Sequence, residues 1–329
     1  MLEKQSKIEI LKSFEFEMTT PTLLIGPITM SEMYSARYDK HVYILGDYHD
    51  KKTVCQAKGE KFPITDFFHY LIENTPGIID FFLELEYLSK TVEPFKKGTI
   101  LNALFGDSYI DDVRKEFANC LTIDKKNCEY PNVRMHYADI RYSSRYTPFL
   151  MLNWMDFVNE RNEKMIDYLF KKRADELKIF PITFQKLIEG NPLITKELMA
   201  IHDEKVTDHI LEWYRQQFDY YVVTQDDFLE LKEFKDPDEY HSAFISLENK
   251  LLTMTSIIMD IYLLARMFRN FEDAPSPKKI VIFAGENHAL DYRAFFQELG
   301  FKELNYAESE KEGVDYQCLE LDKFIPFFE

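Results

Sequence analysis

Two short hydrophobic runs, one near each end of the chain, constrain the fold more than any other feature. His41-Val42-Tyr43-Ile44-Leu45 leads into Gly46-Asp47-Tyr48-His49, and Lys279-Ile280-Val281-Ile282-Phe283-Ala284 leads into Gly285-Glu286-Asn287-His288. Each run is β-branched or aromatic and ends in glycine, an acid, any residue and histidine. A run this short, with turn chemistry behind it, reads as a buried strand. In open α/β sheets, functional groups collect just past the carboxyl ends of the strands. The two runs can therefore bring two imidazoles and two carboxylates to one rim.

Further strands and helices fit that frame. Residues 64–73 have helical spacing (Phe67, Phe68, Leu71, Ile72), stopped by Thr75-Pro76-Gly77. Residues 78–88 read as a second strand and residues 132–140 as a third. Residues 292–299 read as a helix closed at Gly300, and residues 316–321 as a last strand. Strands alternating with helices predict an α/β fold with a central, mostly parallel β-sheet flanked by helices. Between about residues 147 and 271 glycine almost disappears and apolar residues recur at helical spacing, in 151–177, 197–217 and 242–271. The expected organisation is residues 1–146 and 273–329 as the two parts of the α/β core. Residues 147–272 then form a large helical insertion before the last core strands.

Composition narrows the partners. The formal charge of −17, from 40 basic and 57 acidic residues, argues against nucleic acid or an anionic membrane surface as a partner. Cys55, Cys120, Cys128 and Cys318 are too few and too scattered for a disulfide framework, so all four are expected to be reduced. Residues 1–17 mix Lys and Glu without an apolar core of the kind a secretory signal carries. The longest apolar stretch carries Asp260 and Arg266, which makes it a poor spanning helix. The expectation is a cytoplasmic protein acting on a small-molecule or peptide substrate.

The candidate chemistry lies at the strand ends. His49 and His288 follow strand-ending glycines, where a ring nitrogen can bind a metal or carry a proton. An isolated histidine is more often structural, but two on matching strand ends favour a site. On the second strand, alternation puts Asp80, Phe82, Glu84 and Glu86 on one face and Phe81, Leu83, Leu85 and Tyr87 on the other. A carboxylate in so apolar a strand needs a cation or hydrogen-bond donors. Glu84 is the deeper of the two glutamates and the preferred functional acid, with Glu86 behind it. Asp139 and Arg141 end the third strand, either as a local ion pair or as a supporting carboxylate and an anion-holding guanidinium. Asp260 lies in the most apolar helix and needs a partner, either an arginine nearby or the rim site. His69, His136, His202 and His209 read as structural or solvated side chains.

A strand leading to Gly-x-x-His near each end of the chain, with an acid-bearing strand between them (Glu84-Leu85-Glu86), resembles the ChaN/TIKI/TraB/erythromycin-esterase-like superfamily. The resemblance covers the sheet framework, about half of the chain, and implies an α/β fold with its site at the strand ends. Members differ in activity: TIKI-like proteins are metal-dependent peptidases, esterase-like proteins open a macrolactone, and ChaN-like proteins bind haem. Asp47 and Glu286 resemble the acid of the Gly-Glu-x-His variants in the esterase-like branch.

Two versions of an ester- or amide-bond hydrolase follow. In one, His49, Glu84 and His288 hold a divalent ion (Mn, Co or Zn) whose bound water attacks the carbonyl. Asp47 or Glu286 then acts as general base and Arg141 stabilises the oxyanion. In the other, Glu84 or Glu286 orients water and His49 or His288 moves protons without metal. A haem protein with Tyr48, Tyr142 or a rim histidine as axial ligand is a separate reading. A non-catalytic interaction protein that keeps the fold is a third.

Overall fold

The computed structural model describes residues 21–48, 52, 55, 57–86, 108–117, 120, 128–141, 182–231, 233–272, 274–309, 317–324 and 327–328. His49, Tyr142 and the helix expected over 151–177 lie outside the described residues, and so does the side chain of Glu86. The chain divides into two units, one of Met1–Tyr137 with Pro277–Glu329 and one of Ala138–Ser276.

The first unit is built on two sheets. Its strands are β1 (Thr22–Ile25), β2 (Thr29–Ser35), β3 (Lys40–Asp47), β4 (Glu60–Pro63), β5 (Ile79–Glu86), β6 (Val133–Asp139, whose end crosses into the second unit), β7 (Lys279–Gly285), β8 (Lys302–Glu308) and β9 (Cys318–Glu320). The main sheet has the order β6-β5-β7-β3-β2-β8 and the smaller one β4-β1-β9. β7 pairs in parallel with both β3 and β5. β2 runs antiparallel to β3 and to β8, so β8 points the same way as β3.

The two sequence runs are thus immediate neighbours at the centre of the sheet, with His41 opposite Lys279 and Asp47 opposite Gly285. All eight residues of β3 are buried, as a strand covered on both faces requires.

On one face lie helix α1 (Ile64–Asn74) and helix α2 (Tyr109–Glu116). Phe67, Phe68 and Leu71 pack there with Phe81, Leu83 and Leu85, the face of β5 that alternation assigns to the core. The other face of β2, β3 and β7 carries helix α8 (Glu286–Glu298), through Tyr292, Phe295 and Phe296. This helix starts six residues before the predicted 292. Gly285 is at once the last residue of β7 and the helix N-cap, so the second Gly-acid-x-His is a direct strand-to-helix junction. Gly300, at φ +91°, closes the helix as predicted: its own N–H reaches Gln297 O, and the N–H of Phe301 reaches Phe296 O.

The second unit is helical where it is described, beyond the end of β6. It holds α3 (Phe184–Glu189), α4 (Pro192–Met199), α5 (Glu204–Tyr221), α6 (Gln225–Glu230) and α7 (Pro237–Phe268). The predicted helical insertion is therefore present before the last core strands. The part of α7 over Asp238–Phe268 is long and apolar enough to cross a membrane, yet 78% of its most apolar stretch is buried in the fold. Glu197 on α4 is 3% exposed and receives Arg266 at 2.9 Å and Arg269 at 2.7 Å.

The cysteines correct the sequence reading. Cys55 bonds Cys318 and Cys120 bonds Cys128, leaving no free cysteine. Spacing along the chain hides the first pair, because 263 residues separate cysteines whose Cα atoms lie 5.8 Å apart.

Candidate active site at the strand ends

Four of the predicted residues, Asp47, Glu84, Glu286 and His288, meet at the carboxyl ends of β3, β5 and β7. Glu84 is on the face of β5 opposite the apolar core and reaches across to β7. Its Oε2 accepts the Gly285 N–H at 2.7 Å, so a carboxylate sits at the N-terminus of α8, the end of a helix that favours negative charge. Its Oε1 lies 3.7 Å from His288 Nε2, and both side chains are about nine-tenths buried. The His288 ring stacks on Tyr292 one turn along, at 6.2 Å between centroids.

Glu286, the first residue of α8, turns back over β3. Its Oε2 accepts a hydrogen bond from the Thr29 hydroxyl at 2.5 Å. Thr29 stands opposite Gly46 in the β2–β3 register, which explains its place at the rim. Gly46 makes room for this carboxyl group: a Cβ there would lie 1.9 Å from Glu286 Oε2 and 2.5 Å from Thr29 Oγ1. Burial pushes the Glu286 carboxyl up to about 7. The Thr29 hydroxyl and Arg293 pull it down, while Glu308 and Asp47 push it up. The helix N-terminus also favours the anion, so the raised value means that burial dominates.

Asp47 closes β3 at 1% exposure, and its Oδ1 accepts from Gln317 Nε2 at 3.4 Å. Gln317 is fully buried, and its own carbonyl accepts from the Gly26 N–H at 3.0 Å. Sequence reasoning missed Thr29 and Gln317. The only available signal was polarity in otherwise buried segments: Thr29 is placed by its pairing with Gly46 across β2 and β3, and Gln317 arrives just before β9.

The remaining candidates are placed differently. Asp139 and Arg141 form a local pair: Nε to Oδ1 and Nη2 to Oδ2 are both 2.8 Å, and the Arg141 N–H adds a third bond at 3.0 Å. Asp260 is 4% exposed on α7, and the arginines considered as its partners, Arg266 and Arg269, are both bound to Glu197. Tyr48 is 43% exposed. Asp80 shares the face of Glu84 but bonds Arg134 at 2.6 and 2.7 Å and His136 at 2.7 Å. Burial alone would raise its carboxyl, but those hydrogen bonds outweigh it and hold the group below the ordinary range.

A catalytic divalent ion takes three protein ligands. Among the described residues no group of three or more His, Cys, Asp or Glu side chains could hold a metal ion. Of the predicted ligands Glu84 and His288 are adjacent, and the third, His49, lies outside the described residues.

Compared with protein-family models, with curated proteins and with solved structures, the chain matches none of them.

Proposed function

We propose that the chain is a hydrolase of ester or amide bonds whose acid and base are carried by Glu286 and by the Glu84–His288 pair. One observation carries the reading. A partly buried glutamic acid, its carboxyl pushed up to about 7 by burial, lies against Gly46 at the ends of three parallel strands, and two residues on along the same helix His288 pairs with Glu84. Acid–base catalysis works best when the pKa of the group is close to the working pH. Titratable groups whose environments drive them apart mark acid and base roles.

His288 takes a proton from water as its oxygen adds to the substrate carbonyl carbon. Glu84 stabilises the imidazolium that forms, and its own carboxylate is held in place by the Gly285 N–H. Glu286, its carboxyl pushed up to about 7 by burial, gives its proton to the leaving oxygen or nitrogen as the tetrahedral intermediate collapses. The imidazolium then returns its proton to solvent and Glu286 is reprotonated. Asp47 keeps negative charge close to Glu286 and so helps retain that proton.

The resemblance to the esterase-like branch supports the same reaction class. So does the side-by-side placement of the strand ends at Gly46-Asp47 and Gly285-Glu286, which a merely structural sheet would not need. The two disulfides favour an oxidising compartment over the cytosol expected from the sequence.

The test is the pH dependence of hydrolysis over a panel of p-nitrophenyl esters and peptide amides. The proposal predicts a limb with a midpoint near 7 that disappears in Glu286→Gln. A profile with the same limb in both proteins would remove Glu286 from the chemistry.

A further inference from the structure

The Cys55–Cys318 disulfide lies one residue from a group that holds the site. Gln317 donates to Asp47 Oδ1, and Cys318 is the next residue in the chain. The backbone carbonyl of Gln317 also accepts the Gly26 N–H. The strand that follows it, β9, has three residues and pairs, among the described residues, with β1, Ile25 standing opposite Cys318. The other half of the bond, Cys55, lies eight residues beyond Asp47. The bond therefore joins the chain that leaves Asp47 to the chain that delivers its hydrogen-bond donor. The second disulfide, Cys120–Cys128, is local, spanning eight residues. A cavity of about 150 Å³ touches Cys318 and is also lined by Lys58, Lys323, Glu308 and Glu320. It offers a small thiol an approach to an otherwise buried bond.

We propose that the Cys55–Cys318 disulfide is a redox latch on the strand-end site: oxidised, it holds Gln317 against Asp47, and reduction releases that contact. The inference rests on the reading of Asp47 as a site residue given above. Reduction needs a small thiol reductant from outside. Its thiolate attacks Cys318 Sγ, the bond to Cys55 breaks, and Cys55 leaves as a thiolate that takes up a proton. A second thiol then displaces the first from Cys318. In sum, two electrons and two protons pass to the cysteine pair, and the reductant becomes its own disulfide. Gln317 acts through Asp47 and is a positioning residue.

The experiment is backbone hydrogen exchange of the full chain, never exposed to reductant and then treated with dithiothreitol, with alkylation to record which thiols are free. A Cys120→Ser/Cys128→Ser variant isolates the distal bond. A Gln317→Ala variant removes the contact while leaving the bond in place. The latch predicts that Cys55 and Cys318 resist alkylation before reduction. On reduction, residues 317–321 should exchange at least about tenfold faster while β5 and β7 keep their protection. Gln317→Ala should lower hydrolysis to the level of the reduced protein, with 317–321 still protected. Three results would overturn it: free thiols before reduction, unchanged exchange of 317–321 with both thiols alkylated, or loss of protection throughout the sheet, which would make the bond a structural staple. A protein that hydrolyses nothing would refute the proposed function, while the exchange data would still decide the latch.

Discussion

Glu286→Gln separates the cost of burying this acid from its use. The carboxyl has an ordinary value of 4.5 and is pushed to about 7 by burial in the folded chain. Between those values the folded state holds a proton that the unfolded state has lost. The stability Glu286 contributes is therefore full below pH 4.5 and is lost as pH rises through about 7. At about 1.4 kcal/mol per pKa unit, the gap sets an upper limit of about 3 kcal/mol. The side chain is only partly buried, so solvent screening brings the expected effect to about 1–2 kcal/mol. Glutamine keeps the shape and cannot ionise. Urea unfolding of both proteins at pH 5 and pH 8.5 checks this. The variant should match the wild type at pH 5 and exceed it by about 1–2 kcal/mol at pH 8.5. Equal stability differences at the two pH values would show that Glu286 titrates like an exposed glutamate, and the argument from burial would fall.

Other perturbations follow from the same contacts. Gly46→Ala places a Cβ where Glu286 Oε2 now lies, so it should destabilise the fold by about 1–3 kcal/mol and abolish the neutral limb of the pH profile. Thermal unfolding and the rate profile measure the two effects. Asp80→Asn removes the charge shared by buried Arg134 and His136 and should cost about 3–5 kcal/mol near pH 7. Because the Asp80 carboxyl is held low, the difference from wild type should shrink as pH falls through the acid range, as unfolding curves from pH 7 to 3 would record. Dialysis against EDTA should leave hydrolysis unchanged. A loss restored by Mn, Co or Zn would instead favour the metal version built on His49, Glu84 and His288.

The parts of the fold legible in the sequence are those where one physical cause acts alone. β3 is buried throughout and β7 in all but Lys279, so they read as short hydrophobic runs, and β5 shows its two faces by alternation. β2 did not read as a strand because its core includes Ser31 and Glu32. Glu32 is satisfied by His41 at 2.7 Å, Tyr43 at 2.9 Å and Asn305 from two other strands, partners that no local pattern announces. β8 is rich in charge, as an edge strand tends to be, and shows no hydrophobic run that would mark it as a strand. At the site, Asp47, Glu286 and His288 were legible because glycine marks the strand ends, and Glu84 because a carboxylate interrupts an apolar strand. The Thr29–Glu286 and Gln317–Asp47 contacts and the Cys55–Cys318 bond join segments distant in the chain, which spacing along it does not encode.

The most direct measurement compares the hydrolysis rates of wild type, Glu286→Gln, Glu84→Gln and, as a control away from the site, Asp112→Asn, on the ester and amide giving the highest wild-type rates. The account predicts turnover in wild type and control and a loss of at least about 100-fold in each site variant, with unchanged circular dichroism. Wild-type rates in both site variants, or no hydrolysis of any substrate by the wild type, would contradict it.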